Sequence, residues 1–444
     1  MTGRLEIPGP LGQRPHRVRA SFVRGVRPLA GLAGEVSVRA LDLFLSLAGL
    51  ALLSPFLLAR AAAGRLRTGR FLDREPRVGR FRTPFDELAF AGPMPGRRLA
   101  VLLNVLRGDM AFAGPRSLAP GEASTVAPSA AIRFQVRPGL VSPHLLRKRT
   151  GVAYESEADL DSEFVYGETL KKDVGLLARS VPAALLGSAP PRDAPPEFRL
   201  FGIRIVNTTM DEALEWIVGR AGASRPSTMA FVNPDCLNIA WRDPAYREVL
   251  LGAERVLPDG IGIHLACRML GTPLMANVNG TDLFPRLCQR IAGTGLSIYL
   301  FGARPGIAAA AGEAMQRLHP ELKVAGARDG FFPLGETPRV IQEINASGAS
   351  ILLVAMGAPR QEQWLASHAA ELKPPVRMGV GGLFDFYSGR IPRAPVWMRE
   401  IGLEWVYRLL QEPGRMWRRY IIGNPLFLFR VWKESRKAGS AEAG

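Results

Sequence analysis

The residues best suited to proton transfer and phosphate recognition lie in the second half of the 444-residue chain. Asp259 occupies Val256-Leu-Pro-Asp-Gly-Ile-Gly262, directly after a strand-like apolar segment and inside a glycine turn. A half-buried carboxylate there is tuned toward neutrality and can take a proton from a sugar hydroxyl. The commoner role of Asp-Gly is to bond its own turn amides. In Gly357-Ala-Pro-Arg-Gln-Glu-Gln-Trp364, Gln361 falls in the first turn of a helix, where its amide either reaches a ligand or is solvated. Gly379-Val-Gly-Gly-Leu-Phe-Asp385 offers Asp385 as a fixed acceptor for sugar hydroxyls or as a helix cap. The turn Leu300-Phe-Gly-Ala-Arg-Pro-Gly306 opens a helix whose amides suit a diphosphate, although glycine also serves packing in such turns. Arg408, Arg415, Arg418 and Arg419 bring guanidinium forks that match diphosphate oxygens.

These residues need a scaffold, and the apolar runs outline one. Met229 to Asn233, Leu296 to Gly302, Ser350 to Gly357 and Val376 to Gly381 read as strands, with helices over 305–318 and 360–372. Strand, turn and helix in repetition predict an α/β domain with a Rossmann-like, mostly parallel sheet, whose ligands sit at the carboxyl ends of the strands. This domain is expected over 198–396. Residues 397–437 are expected to form a helical, basic and aromatic membrane-docking appendage. There Trp397 to Gln411 is helical in period, Pro413-Gly414 breaks it, and Trp417, Tyr420, Phe427, Phe429 and Trp432 suit a lipid interface.

The first half divides differently. Residues 1–35 are rich in Arg, Gly and Pro and read as a flexible basic arm. Leu41 to Ala63 is almost wholly apolar but interrupted by Ser54-Pro55, at the margin of the ~20 residues a span requires. Proline kinks such a helix, and basic flanks on both sides favour a re-entrant bend over a span. A buried core helix and a plain span are the alternatives. Residues 36–187 are expected to form a small membrane-associated α/β domain, and the proline-rich 188–197 a stiff linker.

Charge and cysteine usage limit the function classes. The net +17 is placed rather than spread: +4 over 1–36, +6 over 60–82 and +7 over 390–437 account for all of it. Such segments meet phosphates on lipid, substrate or nucleic acid. No nucleic-acid-binding motif accompanies them and they flank apolar stretches, so a nucleic-acid partner is not expected. Cys236, Cys267 and Cys288 lie far apart and there are only five histidines, which argues against a disulfide framework and a zinc site. No cofactor and no metal are expected.

From Phe198 to Lys433 the chain resembles the WecG/TagA/CpsF family of bacterial glycosyltransferases. The resemblance rests on Asn233, the Pro-Asp-Gly at Asp259, Gly280-Thr-Asp-Leu283, Gly357 to Glu362, Gly379 to Asp385, Arg393-Ala-Pro-Val-Trp397, Gly402 to Leu409 and Glu412-Pro413, in that order. It implies an inverting, metal-independent transfer of a sugar from a nucleotide (UDP) donor to a polyprenyl-diphosphate-linked sugar, in exopolysaccharide or cell-surface glycan assembly. By the same resemblance Asp259 is the general base, Asn233, Gln361 and Asp385 contact substrate, and Arg408, Arg415 and Arg418 neutralise the departing diphosphate. Two positions depart from the family pattern and bear on donor identity: Asn277, also expected at the substrate, replaces an arginine, and Phe231 replaces a hydroxyl residue.

Val36 to Leu186 is similar to the bacterial sugar transferases, monotopic phosphoglycosyl transferases. Ser54-Pro55, Arg77-Val-Gly-Arg80, Asn104 to Met110, Gly114-Pro-Arg116 and Arg137-Pro-Gly139 carry that resemblance. The family's catalytic Asp-Glu pair falls on Arg97 and Arg98. A covalent phosphosugar intermediate needs a carboxylate nucleophile, so this half is expected to be catalytically silent. An anionic membrane surface on the cytoplasmic face of the bacterial inner membrane is the expected location, with self-association left open. A bifunctional enzyme that also loads sugar-1-phosphate onto the lipid, and a non-catalytic membrane scaffold, are the rival readings.

Overall fold

The computed structural model describes residues 29–93, 95–150, 156–167, 169–186 and 194–442. Most of the N-terminal arm and of the proline-rich linker therefore lies outside the described residues. The chain divides into two compact units, with described parts within 21–187 and 188–444.

The larger unit is built on six parallel strands: β1 (Ser227–Val232), β2 (Arg255–Pro258), β3 (Ser297–Gly302), β4 (Lys323–Arg328), β5 (Ile351–Ala355) and β6 (Val376–Gly379). Their spatial order is β4-β3-β5-β6-β1-β2. The strands read as continuous apolar runs because both faces are covered. In β5, Ile351, Leu353 and Ala355 enter a core shared with the helices Gly280–Ile291 and Ile307–Leu318. Leu352 and Val354 face the opposite way, into a cluster with Val340, Ile344 and Leu365. A third cluster joins Ala230, Val232 and Val256 to Leu237, Ala266, Phe427 and Val431. The chain leaves β3 for β4 on one side and returns to β5 on the other, so β3 and β5 form a topological switch point, where open α/β sheets place ligands.

The C-terminal stretch differs from the expected appendage. Gly402, at φ +73°, divides the predicted helix into Val396–Glu400 and Glu404–Gln411. The helix ends at Gln411 just before Pro413, as expected, and Pro413 itself opens the next one, Pro413–Trp417, because its missing N–H is harmless in a first turn. A π-helical turn, Arg418–Gly423, leads into Asn424–Glu442, which buries Phe427 and Val431 completely. That helix is thus part of the core beneath β1 and β2. Trp417, Ile421, Ile422, Phe429 and Trp432 remain exposed.

In the smaller unit, helices Leu29–Leu52 and Ser54–Thr68 meet at a 72° bend, with Pro55 in the first turn of the second. Among the described residues no single helix is long and apolar enough to cross a membrane. The bent pair is inverted in polarity: Asp42, Ser46 and Arg60 are buried, whereas Phe44, Leu47, Leu52, Phe56, Leu58 and Leu66 are exposed. Arg60 donates to the carbonyls of Ala91 (3.0 Å) and Gly92 (2.9 Å), and Asp42 accepts from the Phe112 amide at 3.0 Å. An antiparallel hairpin, Leu72–Val78 with Pro84–Phe90, and a short parallel pair, Ala111–Ala113 with Gly139–Val141, complete the α/β unit with its helices.

Candidate active site

Two neighbouring groups of residues stand at the carboxyl edge of the six-stranded sheet. The first follows β1 and β2. Asn233 caps the helix Pro234–Arg242, its Oδ1 accepting from the amides of Asp235 (3.1 Å) and Cys236 (3.2 Å). Its Nδ2 donates to Asp259 Oδ2 at 3.4 Å. The Asp259 amide donates to the Val232 carbonyl at 2.8 Å, locking the β2 turn against β1. Asn277 Oδ1 accepts from the Gly260 amide at 2.7 Å, so the Asp259 turn is held by a side chain from outside it. The Asp259 carboxyl is not used on its own turn. Burial pushes its pKa up, while Arg419, Asn233 and Arg408 pull it down and Glu404 adds to the rise. A carboxylate raised by burial yet stabilised by nearby cations is more basic than a solvated one and still ionisable, which is what a general base requires.

The second group is a cleft at the ends of β3, β4, β5 and β6, over the switch point. Arg304, Phe331, Gly357, Arg360, Gly381, Asp385, Arg390 and Arg415 line it, among others. Asp385 is buried and accepts from Arg390 Nε at 2.7 Å; Gly382, not Asp385, is the cap of helix Leu383–Tyr387. Arg408 lies over the ring of Phe386, 5.0 Å from its centroid, and its guanidinium rests where a Gly382 side chain would be, 2.6 Å from an ideal Cβ. The break at Glu412 brings Arg415 back beside the same loop. Glu412 stands 3.6 Å from Arg415 and 3.9 Å from Arg390.

Gln361 is neither solvated nor turned outward. Its Oε1 accepts from the amides of Gly357 (3.1 Å) and Gly381 (2.9 Å), and its Nε2 donates to Glu362 Oε1 at 2.6 Å. The side chain ties the loops after β5 and β6 together and so shapes the cleft from below. Glu362 is buried behind it, accepting from Tyr246 Oη at 3.4 Å, and burial pushes its pKa up to about 7.

Two adjacent arginines differ in placement. Arg418 is exposed and lies over its neighbour Trp417, 5.3 Å from the ring centroid. Arg419 points inward, 3.5 Å from Asp235 and close enough to Asp259 to lower its pKa. Arg418 and Arg419 are the first two residues of the π-helical turn, and their side chains leave it in different directions. Sequence reasoning also passed over Arg304, Arg360 and Arg390, whose only signal was a place within or just beyond a glycine loop after a strand. The Gly280-Thr-Asp-Leu283 and Arg393 motifs meet in a separate ion network: Arg393 pairs with Asp282 and, at 3.1 Å, with Glu404. Burial alone would lower the pKa of Arg393, but these two carboxylates raise it. Among the described residues no group of three His, Cys, Asp or Glu side chains converges as metal ligands.

A parallel sheet with a basic cleft and a raised carboxylate at its carboxyl edge is the arrangement of an α/β enzyme that acts on phosphorylated substrates. The chain belongs to the WecG/TagA/CpsF family of glycosyl transferases, whose family model matches residues 198–441. It is 34% identical over 204 residues to the N-acetylglucosaminyldiphosphoundecaprenol N-acetyl-beta-D-mannosaminyltransferase of Bacillus spizizenii, covering 46% of this chain and 78% of that protein. The enzyme of the same name from Bacillus subtilis is 31% identical over 210 residues, 47% of this chain and 80% of that one. Residues 97–187 match the bacterial sugar transferase family, a match that begins at Arg97 and leaves the bent helix pair outside it.

In the smaller unit the two arginines at the expected catalytic positions are occupied by carboxylates. Arg97 lies 2.9 Å from Glu75 and 3.5 Å from Asp73, and Arg98 lies 3.2 Å from Glu87. Glu87 is buried and also accepts from Ser117 Oγ at 2.5 Å, with Arg77 3.5 Å away.

Proposed function

We propose that the larger unit transfers a sugar from a nucleotide donor, UDP-linked, to a polyprenyl-diphosphate-linked sugar, with inversion and without a metal, in exopolysaccharide or cell-surface glycan assembly. The relatives' names supply the acceptor class and N-acetylmannosamine as the first donor sugar to try. One observation carries the mechanism: Asp259 stands free of its own turn, oriented by Asn233, beside a cleft lined by guanidinium groups. Asp259 takes the proton of the acceptor hydroxyl as its oxygen attacks the anomeric carbon from the face opposite the diphosphate. Asp385 and Asn277 contact sugar, and Gln361 keeps the two loops in register. Arg408, Arg415 and Arg419 stabilise the negative charge that develops on the departing diphosphate, the task a divalent cation performs elsewhere.

The smaller unit serves as a membrane platform without catalysis of its own. Its support is the pairing of Arg97 and Arg98 with the nearby carboxylates and the outward apolar side chains of the bent pair. These side chains suit re-entrant docking at an anionic inner-leaflet surface; in the larger unit, exposed Trp417, Ile421, Ile422 and Arg418 suit an interfacial contact of their own. The test is transfer from a panel of UDP-sugars, UDP-N-acetylmannosamine first, to a synthetic lipid-diphosphate-N-acetylglucosamine, with and without chelator. Transfer that persists in chelator is expected; transfer abolished by it removes the arginine mechanism.

A further inference from the structure

The junction of two helices places a carboxylate in the cleft wall. Glu412 ends Glu404–Gln411 and precedes Pro413–Trp417, and its backbone does the joining. Its amide donates to the Arg408 carbonyl at 3.0 Å, and its carbonyl accepts from the amides of Arg415 (3.2 Å) and Met416 (3.0 Å). A polar side chain at a helix start ordinarily caps the first free amides. That of Glu412 makes no cap bond and lines the cleft with Asp385, Arg390 and Arg415 instead. The residue is thus pinned through its peptide groups, and the carboxylate is delivered to a fixed place.

There its oxygens are incompletely served. Oε1 stands 3.9 Å from Arg390 and Oε2 3.6 Å from Arg415, both beyond hydrogen-bond reach. Oε2 is shielded from solvent and has no hydrogen-bond partner among the described residues. On the other side of Arg390, Asp385 already holds the Nε–H at 2.7 Å. A shielded carboxylate oxygen without a donor costs its desolvation, and a ligand that brings an O–H or N–H offsets that cost. A diphosphate brings no such proton and meets like charge, so a sugar hydroxyl or amide is the complement. Inversion decides which sugar. The attacking hydroxyl stands at Asp259, outside the cleft lining, and the leaving diphosphate lies on the opposite face of the anomeric carbon, so the cleft side belongs to the donor. Resting on that transfer reading, we propose that Glu412 is a donor-sugar contact whose Oε2 accepts from a ring hydroxyl or amide N–H of the transferred sugar and so helps to select it.

The test compares UDP with UDP-N-acetylmannosamine, UDP-N-acetylglucosamine and UDP-glucose on the full chain, by calorimetry. Glu412→Ala is expected to weaken the sugar nucleotide that the wild type binds best by about 10- to 100-fold, the range of a hydrogen bond to a charged group, and to leave UDP unchanged. Unchanged UDP affinity doubles as the check that the variant is folded. Glu412→Gln, which keeps an acceptor oxygen without the charge, is expected to lose less than Glu412→Ala. Equal weakening of UDP and the sugar nucleotide shows that Glu412 only orients Arg415 and overturns the sugar contact. A change confined to the KM for the lipid acceptor in a transfer assay overturns it as well. Wild-type protein that binds no UDP removes the donor reading and the contact together, whereas normal UDP and UDP-sugar binding in Glu412→Ala removes the contact alone.

Discussion

In residues 21–187, Arg77, Arg97 and Arg98 direct their guanidinium groups onto Asp73, Glu75 and Glu87. In residues 188–444, Arg304 and Arg360 line a cleft with no ion pair among the described residues, and Arg408 stacks on an aromatic ring rather than on a carboxylate. Both units are rich in arginine. The contrast lies in capacity left over: a guanidinium already paired at hydrogen-bond distance has little to offer a phosphate, and a carboxylate held by arginine and serine is a poor nucleophile. Composition alone does not separate a working anion site from a neutralised one, because both contain the same residue types.

The largest effect expected is on Asp259. Asp259→Asn should lower kcat by about 10²- to 10⁴-fold with circular dichroism and Tm unchanged, the loss of one general base. Near-normal turnover would break the comparison at its strong side. In the wild type the acid limb of kcat/KM should lie above the usual carboxylate range, because burial raises Asp259. As pH falls through that raised pKa the carboxylate gains a proton and transfer is lost.

A second, smaller effect separates adjacent arginines. Arg419→Gln should cost at least about tenfold in kcat/KM, the value of a charge-assisted contact, and Arg418→Gln much less in a detergent-solubilised assay. The reverse order would mean that the wide turn before the last helix is misassigned to the cleft.

Glu362 gives a smaller signal still, in stability. Its folded pKa of about 7 stands above its ordinary value of 4.5, so the native state holds the extra proton between those values. The native state is favoured at low pH and loses that advantage as pH rises through 7. Glu362→Gln, which cannot ionise, should therefore raise Tm more at pH 8 than at pH 5, measured by scanning calorimetry. An equal shift at both values would show that the buried carboxyl does not titrate.

The smallest expected signal is none. The full chain incubated with UDP-sugar, Mg²⁺ and polyprenyl phosphate should release no UMP, since Arg97 and Arg98 cannot form a phosphosugar ester. UMP release would erase the contrast between the units.

Much of the sheet is legible in the sequence, because β1, β3, β5 and β6 are short apolar runs ending at glycine or a polar residue. Lys323–Arg328 is not, since an edge strand of Lys-Val-Ala-Gly-Ala-Arg is half exposed and needs no apolar run. The site shows the same division. Asp259, Asn233 and Asp385 fall where strand ends predict them, but the use of Gln361 on Gly357 and Gly381 depends on two loops meeting, which no local spacing records. That Arg419, and not Arg418, lies beside Asp235 depends on how a π-helical turn packs, which no local spacing records. The bend at Ser54-Pro55 is legible because proline acts locally.

Helix Glu404–Gln411, which carries Arg408, has no fully buried residue and is fastened at its first turn by Arg393. Its charge is thus mounted on a short helix clasped by an ion pair. If Arg408 acts on the departing diphosphate, opening that clasp is expected to lower transfer while the sheet stays whole, a loss of rate below the temperature at which the unit unfolds.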